Sequence, residues 1–543
     1  MKKLLLIFLI PIASLLSQSS FNNRSLIDKN KLKRHLEYLG DDLFEGRGTG
    51  ELGGDLAAKY LAVMYNRLNL TPVGDNGTYY QYIPMHASKT LKSSRLKIYQ
   101  NNEESELELG EDYLLYNSGD QTFIPMLAEL VFVGYGIIAS EYDYNDYQEI
   151  DVEGKIAVML SGEPHSNEHD FFTGDYPTIY SYPESKQRLA SSRGAKGSII
   201  ISNPLENDNK EWEHLKIQFS FEDIKLAYTI TNNFGALLNY ESAHKIFKNS
   251  RYKFADVLEM HKSNSIKSFE LGTEITFNGN FANRDFIAPN VIAKIDGTDP
   301  ELKDEYLVIS AHYDHLGLGT PVNGDSIYNG IMDNAIGCAA VLELARVLSS
   351  AVIKRSVLII LVTGEEKGLL GSTYYTGHPV VPLHKTIANI NIDGIAAYDN
   401  FKSIIGVGRE LSSLNSTLKK VAILNGLKVV NIPPQFKQWE SFNRSDQMAF
   451  AKAGIPSILT MDGPDYINKS RDEGIQHLID YNMNIYHTPF DDLTQEINYE
   501  AAVQQIEFIY DLCIELLNAE ETPEWNSGVF YNNARLQSIA EGR

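Results

Sequence analysis

Five short runs rich in Val, Ile and Leu, at 291–295, 306–311, 356–362, 387–392 and 455–461, recur through the C-terminal half of the chain, separated by stretches with helical spacing. Polar residues hardly interrupt them. A strand exposed on one face alternates polar with apolar residues, so nearly continuous apolar runs belong to strands covered on both faces. Residues 281–519 are therefore expected to form an α/β domain, a mostly parallel central sheet flanked by helices.

The ionisable residues fall at the ends of these runs. His312-Tyr313-Asp314 follows the second, Gly364-Glu365-Glu366 the third and Asp393-Gly394 the fourth. In an open α/β sheet the carboxyl ends of the strands face one crevice, so these residues converge in space. Asp333 stands just before a helical pattern at 335–348, and His487 lies in the turn-like Tyr486-His487-Thr488-Pro489. Taken singly, each has an ordinary structural role: a lone His is usually a hydrogen-bonded core residue, an Asp before a helix caps it, and Asp-Gly is a turn. Glu365-Glu366 is different, because two adjacent carboxylates at the end of a buried strand raise each other's pKa unless a cation or solvent compensates. Oxygen and imidazole donors suit catalytic zinc, with cobalt or manganese as substitutes. Two ions need a shared carboxylate, and one further carboxylate must stay off the metals to accept a proton. Glu365 and Glu366 can divide those tasks, since successive residues at a strand end point in different directions.

The rest of the 543-residue chain sets limits. With 48 Lys and Arg against 71 Asp and Glu, the formal charge of −23 has the wrong sign for a nucleic-acid binder. Two cysteines, Cys338 and Cys513, exclude a disulfide framework and a Cys-rich zinc module. Residues 1–20 show a basic start, an apolar run over 4–16 and a small-residue zone, the order of a cleaved export signal. Thirteen residues in a helix span about 20 Å, short of the roughly 30 Å of a bilayer core. No later window is apolar enough to span, so no stable membrane span is expected after cleavage.

Residues 21–92 read as the N-terminal part of the α/β domain, with Leu56, Ala57, Tyr60, Leu61, Met64 and Leu68 at helical steps. The Gly-rich stretch 45–50 before them lacks the Lys-Ser/Thr pair of a phosphate loop and reads as a turn-rich entry to the helix. Residues 93–280 change to short β-type runs at 128–133, 155–160 and 197–202. Gly134 to Ala139 formally matches a dinucleotide fingerprint, but turn chemistry at 142–147 replaces the helix that a pyrophosphate needs. The stretch resembles instead a protease-associated domain, on its Val133-Gly134-Tyr135-Gly136 strand, its Gly154-Lys155 strand entry and its Gly194 to Gly197 run. Residues 520–543 are mostly polar and read as a surface tail.

The motifs Ser310 to Gly317, Gly330 to Gly337, Thr363 to Ser372, Asn391-Ile392-Asp393 and Tyr486 to Pro489, in that order, resemble the co-catalytic dizinc peptidases that include bacterial leucyl aminopeptidases and glutamate carboxypeptidase. The resemblance implies His312 and Asp393 as ligands of one zinc, Glu366 and His487 as ligands of the other, and Asp333 as the bridge. It makes Glu365 the general base acting on a metal-bridging water, and Asp314 the acceptor that orients the first histidine. His315 has no ligand role in it. It further implies a cis peptide bond after Asp333 and an inserted protease-associated domain. Gln447 departs from it, standing where members often carry His, a change expected to touch the surroundings of the substrate rather than the metals.

The resemblance implies an aminopeptidase acting on the N-terminal bond of peptides, and the signal at 1–20 implies that it is exported. Three rivals stand beside it. A carboxypeptidase for acidic C-termini needs an Arg cluster, for which Arg444 is the one obvious candidate in its stretch. A glutaminyl-cyclase-like transferase uses one zinc, and a receptor-like scaffold loses ligands, whereas all five are present here.

Overall fold

The computed structural model describes residues 26–116, 123–165, 171–172, 178–205, 209–229, 233–434, 436 and 442–542; the export signal expected at 1–20 lies outside them. The chain divides into two compact units, one built from its first 83 residues with 287–433 and 441–543, the other from 84–286 with 434–440.

All five apolar runs of the first unit are strands. From Phe281–Ile295 onward the strands of its sheet follow in the order Phe281–Ile295, Ser356–Val362, Tyr306–His312, Thr386–Asn391, Ser457–Asp462, Ser403–Val407 and Lys428–Val430. Tyr306–His312 runs parallel to both neighbours, with His312 opposite Val362 and Ser310 opposite Asn391. That register brings three carboxyl ends, distant in sequence, to one edge. Ser457–Asp462 continues the parallel set, while Phe281–Ile295 and Ser403–Val407 join antiparallel. Ser403–Val407 and Lys428–Val430 carry no strong strand signal of their own, being short and respectively broken by Gly406 and opened by an exposed Lys428.

Helices seal this sheet. Ile336–Leu348 buries residues all round its first three turns, which is why it is apolar on every side. Lys29–Leu39 is started by the Asp28 carboxylate, which accepts from the amides of Asn30 and Lys31, and it lays Leu32, Leu36 and Leu39 into the same core. Leu61 from Leu52–Arg67, Phe508 from Tyr499–Asn518, Val341 and Ile359 complete it. Each such side chain contributes about 1.5–3 kcal/mol by leaving water. Gly53 permits the tightest of these approaches, since a Cβ there would lie 1.7 Å from the Phe44 carbonyl oxygen.

The polar composition of 520–543 conceals an anchor. Buried Trp525 donates from Nε1 to the Gly454 carbonyl at 2.9 Å, and Arg535, on the helix Asn532–Glu541, donates to the carbonyls of Leu383 and Thr386. Two large side chains therefore do what composition averaged over the segment hides.

The second unit is mainly β. Its sheet runs Glu103–Leu107, Arg95–Gln100, Phe269–Asn278, Phe123–Phe132, Ile156–Leu160, Gly197–Ile201, Phe234–Leu238 and Tyr113–Leu115. The four strands from Phe123–Phe132 to Phe234–Leu238 are parallel and the flanks antiparallel. Phe132, Val158 and Ile199 face one core, and Val131, Ala157 and Met159 another. After the Phe123–Phe132 strand no long helix opens; the chain enters the one-turn 3-10 segment Ser140–Tyr142. The amides of Tyr135 and Ile137, which a phosphate would need, donate to the Asp146 carboxylate at 3.0 and 2.9 Å.

Candidate metal centre

His312 ends the central strand of the first unit, Glu365 and Glu366 follow the strand on one side, and Asp393 follows the strand on the other. Asp333 comes from the turn Ile331–Ala335 that leads into the Ile336–Leu348 helix, and His487 from the loop after Arg471–Asn484. The Asp333–Asn334 peptide bond is cis, as the resemblance implies.

These side chains meet. Asp333 presents one carboxylate oxygen to each histidine: Oδ1 lies 3.1 Å from His312 Nε2, and Oδ2 lies 3.4 Å from His487 Nε2. Asp393 Oδ1 stands 3.2 Å from His312 Nε2, and Glu366 Oε2 stands 3.0 Å from His487 Nε2. Two donor sets thus share Asp333. One is His312, Asp333 and Asp393; the other is Asp333, Glu366, His487 and His315, with ligand atoms inside 4.8 Å of one another in each. Glu365 forms an overlapping set with His312 and Glu366.

The electrostatics call for cations. Against the cost of burial, the Glu365 and Asp393 carboxylates and hydrogen bonds to Asp333 and Asp393 hold His312 far above its usual range. His487, which burial also opposes, is drawn up to about 9, chiefly by Glu366. Burial is likewise outweighed at Asp333, where the imidazoles of His312 and His487 keep the carboxyl well below its ordinary range. Glu365 moves the other way: burial, with Glu366, Asp393 and Asp446, pushes it well up despite the attraction of His312. Three buried atoms here, His487 Nε2, His315 Nε2 and Glu366 Oε1, make no hydrogen bond. Each unpaired buried polar atom costs about 1–3 kcal/mol. A bound cation satisfies all three at once, so the donor set fits a metal.

The supports of this cluster were only partly legible. Asp314 is buried beside His312, but the ring does not rest on its carboxylate, which is 3.9 Å away. His312 Nδ1 donates instead to the Asp314 main-chain carbonyl at 3.1 Å. The carboxylate turns back because Thr49 Oγ1 and the Glu365 amide donate to it at 2.9 and 3.2 Å. The 45–50 loop is therefore more than a helix entry. Arg47, fully buried, donates to the carbonyls of Leu39, Tyr313, Asn329 and Gly330, tying the loop after His312 to the loop before Asp333.

Asp491 accepts from the amides of Met332 and Asp333 and so sets the direction of the shared aspartate. Asn334 accepts from the Gly394 amide and donates to the Ile392 carbonyl, joining the Asp333 turn to the Asp393 loop. Gln447 is fully buried and accepts from Asn391 Nδ2 at 2.8 Å while donating to the Phe442 carbonyl. It sits under the end of the Thr386–Asn391 strand, which stops two residues before Asp393. Arg444 is exposed.

Residues 290–512 match the sequence model of Peptidase family M28. The chain is 30% identical over 224 residues to the "probable leucine aminopeptidase 2" of Aspergillus oryzae, covering 39% of this chain and 41% of that protein. It is 26% identical over 247 residues to the "Probable zinc metalloprotease" of Pyrenophora tritici-repentis, covering 44% of this chain and 49% of that one. The chain thus spans less than half the length of these curated relatives. The fold is similar over most of its length to a solved structure, the "Aminopeptidase from Aneurinibacillus sp. strain AM-1", at 18% identity, with a TM-score of 0.55 over 93% of this chain and 97% of that one.

Proposed function

We propose that this protein is an exported dizinc aminopeptidase that hydrolyses the N-terminal bond of peptides. The observation that carries the proposal is Asp333, whose two carboxylate oxygens each face a different histidine, with Asp393 and Glu366 completing the two sides. His312, Asp393 and Asp333 hold one zinc in this reading; Glu366, His487 and Asp333 hold the other. Zinc, when bound, polarises a carbonyl and lowers the pKa of water, and cobalt or manganese can substitute. The relatives named a leucine aminopeptidase and a zinc metalloprotease support both the metal and the reaction.

Glu365 is left to handle protons. It follows the strand end beside Glu366 and is half-buried, and desolvation with the neighbouring carboxylates strengthens its hold on a proton. It takes a proton from the attacking water and delivers it to the leaving amine, the two halves of general base and general acid work. Asp314 holds the loop of Glu365 by accepting its amide, so the same carboxylate couples the base to the strand of His312. The 84–286 unit is the protease-associated insertion in this reading, and residues 1–20 direct export.

Peptides and chromogenic aminoacyl amides with free N-termini are expected to be cleaved, and their N-acetylated counterparts to resist. A chelator abolishes turnover and zinc restores it. Glu365→Gln keeps both metals and lowers kcat about 10²- to 10⁴-fold or more. Equal cleavage of acetylated peptides overturns the aminopeptidase reading in favour of the carboxypeptidase one, and near-normal turnover by Glu365→Gln removes the residue from the reaction.

A further inference from the structure

His315 is the one member of the cluster that the proposed reaction leaves without a task. Its ring is fully buried, and Nδ1 donates to the Tyr328 carbonyl at 2.8 Å. That bond fixes the tautomer, because a carbonyl only accepts, and leaves the lone pair on Nε2. Metal-ligating histidines are held in this way, with the second nitrogen tied to a carbonyl or carboxylate. Nε2 makes no hydrogen bond, and it points toward Glu366 Oε1, which makes none either, across 3.7 Å. A lone pair facing a carboxylate oxygen at that distance is repelled unless a cation lies between them. The ring is closely packed: Gly330 lies so near that a Cβ there would be 2.4 Å from His315 Cγ, and the His487 ring lies edge-on at 5.7 Å.

We infer that His315 is a direct ligand of the metal held by Glu366 and His487, so that this position has four protein donors, His315, Asp333, Glu366 and His487, against three at the other. The inference rests on the dizinc reading above. Four protein donors fill the usual complement of a closed zinc site, whereas three leave a place for water or substrate. The two positions therefore differ in kind. The one with His315 binds first and tightly, and the open one, at His312 and Asp393, is where substrate is engaged. Exposure agrees, with the Asp393 side chain 24% accessible and that of Glu366 only 4%.

The test is stepwise metal loading of the metal-free full chain. Wild type is expected to take up one equivalent of zinc more tightly than the second, and the first equivalent of cobalt is expected to show the intense visible absorption of a closed site. His315→Ala and His315→Gln should weaken the first equivalent by more than the roughly 10- to 100-fold that an outer-shell partner costs, and alter its cobalt absorption. X-ray absorption of wild type with one zinc should count two imidazoles, a readout that needs no variant to fold. Unchanged cobalt absorption in either folded variant, or one imidazole around the first zinc, overturns the role of His315 while the dizinc reading stands. Wild type that binds neither zinc nor cobalt overturns that reading itself.

Discussion

His487 and His312 are imidazoles surrounded by carboxylates, and that fixes how the site responds to pH. In the metal-free protein His487, drawn up to about 9, holds a proton at neutral pH, and His312, raised by Glu365, Asp393 and Asp333, holds another. A metal accepts only the neutral ring, so loading must release these protons. Zinc binding followed by calorimetry in buffers of different ionisation enthalpy is expected to show release of about two protons at neutral pH. Apparent affinity should rise with pH and the release shrink as pH passes 9, the value for His487. Zinc uptake without proton release would contradict the electrostatics. The seven residues singled out in the sequence come together because each sits at or beside a strand end or turn that local pattern reveals. The same pattern could not show that Asp314 serves through its carbonyl, or that Arg47 and Thr49 hold this loop, since their partners lie 266 and 265 positions away.

At the scale of elements, the two loops that carry Asp333 and Asp393 are joined by one side chain, Asn334. Its position depends on Gly337 in the first turn of the Ile336–Leu348 helix, where a Cβ would stand 1.9 Å from Asn334 Oδ1. Gly337→Ala is expected to destabilise the metal-free protein by about 1–3 kcal/mol, the usual cost of overpacking. It should also weaken zinc binding on both sides of Asp333, because the shared ligand is displaced. Denaturant unfolding and zinc titration measure the two effects, and a variant unchanged in both would separate Asn334 from the site. Helix and strand positions were legible here from apolar spacing. The contact between a glycine and an amide three residues earlier was not, because it depends on the backbone turn Ile331–Ala335 rather than on any periodicity.

The molecule as a whole divides its labour between two units with separate cores. The second unit carries its own acid sensitivity. His261 is buried with Nδ1 at 2.5 Å from the Tyr135 hydroxyl and Nε2 at 3.0 Å from His165 Nε2. Burial, then His165 and Lys262, lower it from 6.5 to about 4. The folded form therefore binds fewer protons than the unfolded chain between those values, and stability falls as pH drops through that window. Thermal unfolding of wild type should lose stability between pH 6.5 and 4 more steeply than His261→Gln does, and parallel curves would show that His261 binds its proton equally in the folded and unfolded chain.

Zinc-edge anomalous diffraction from the zinc-loaded protein addresses the central claim. Two peaks are predicted on either side of Asp333, one by His312 and Asp393 and one by Glu366 and His487. A single peak, or two that do not share Asp333, would contradict it.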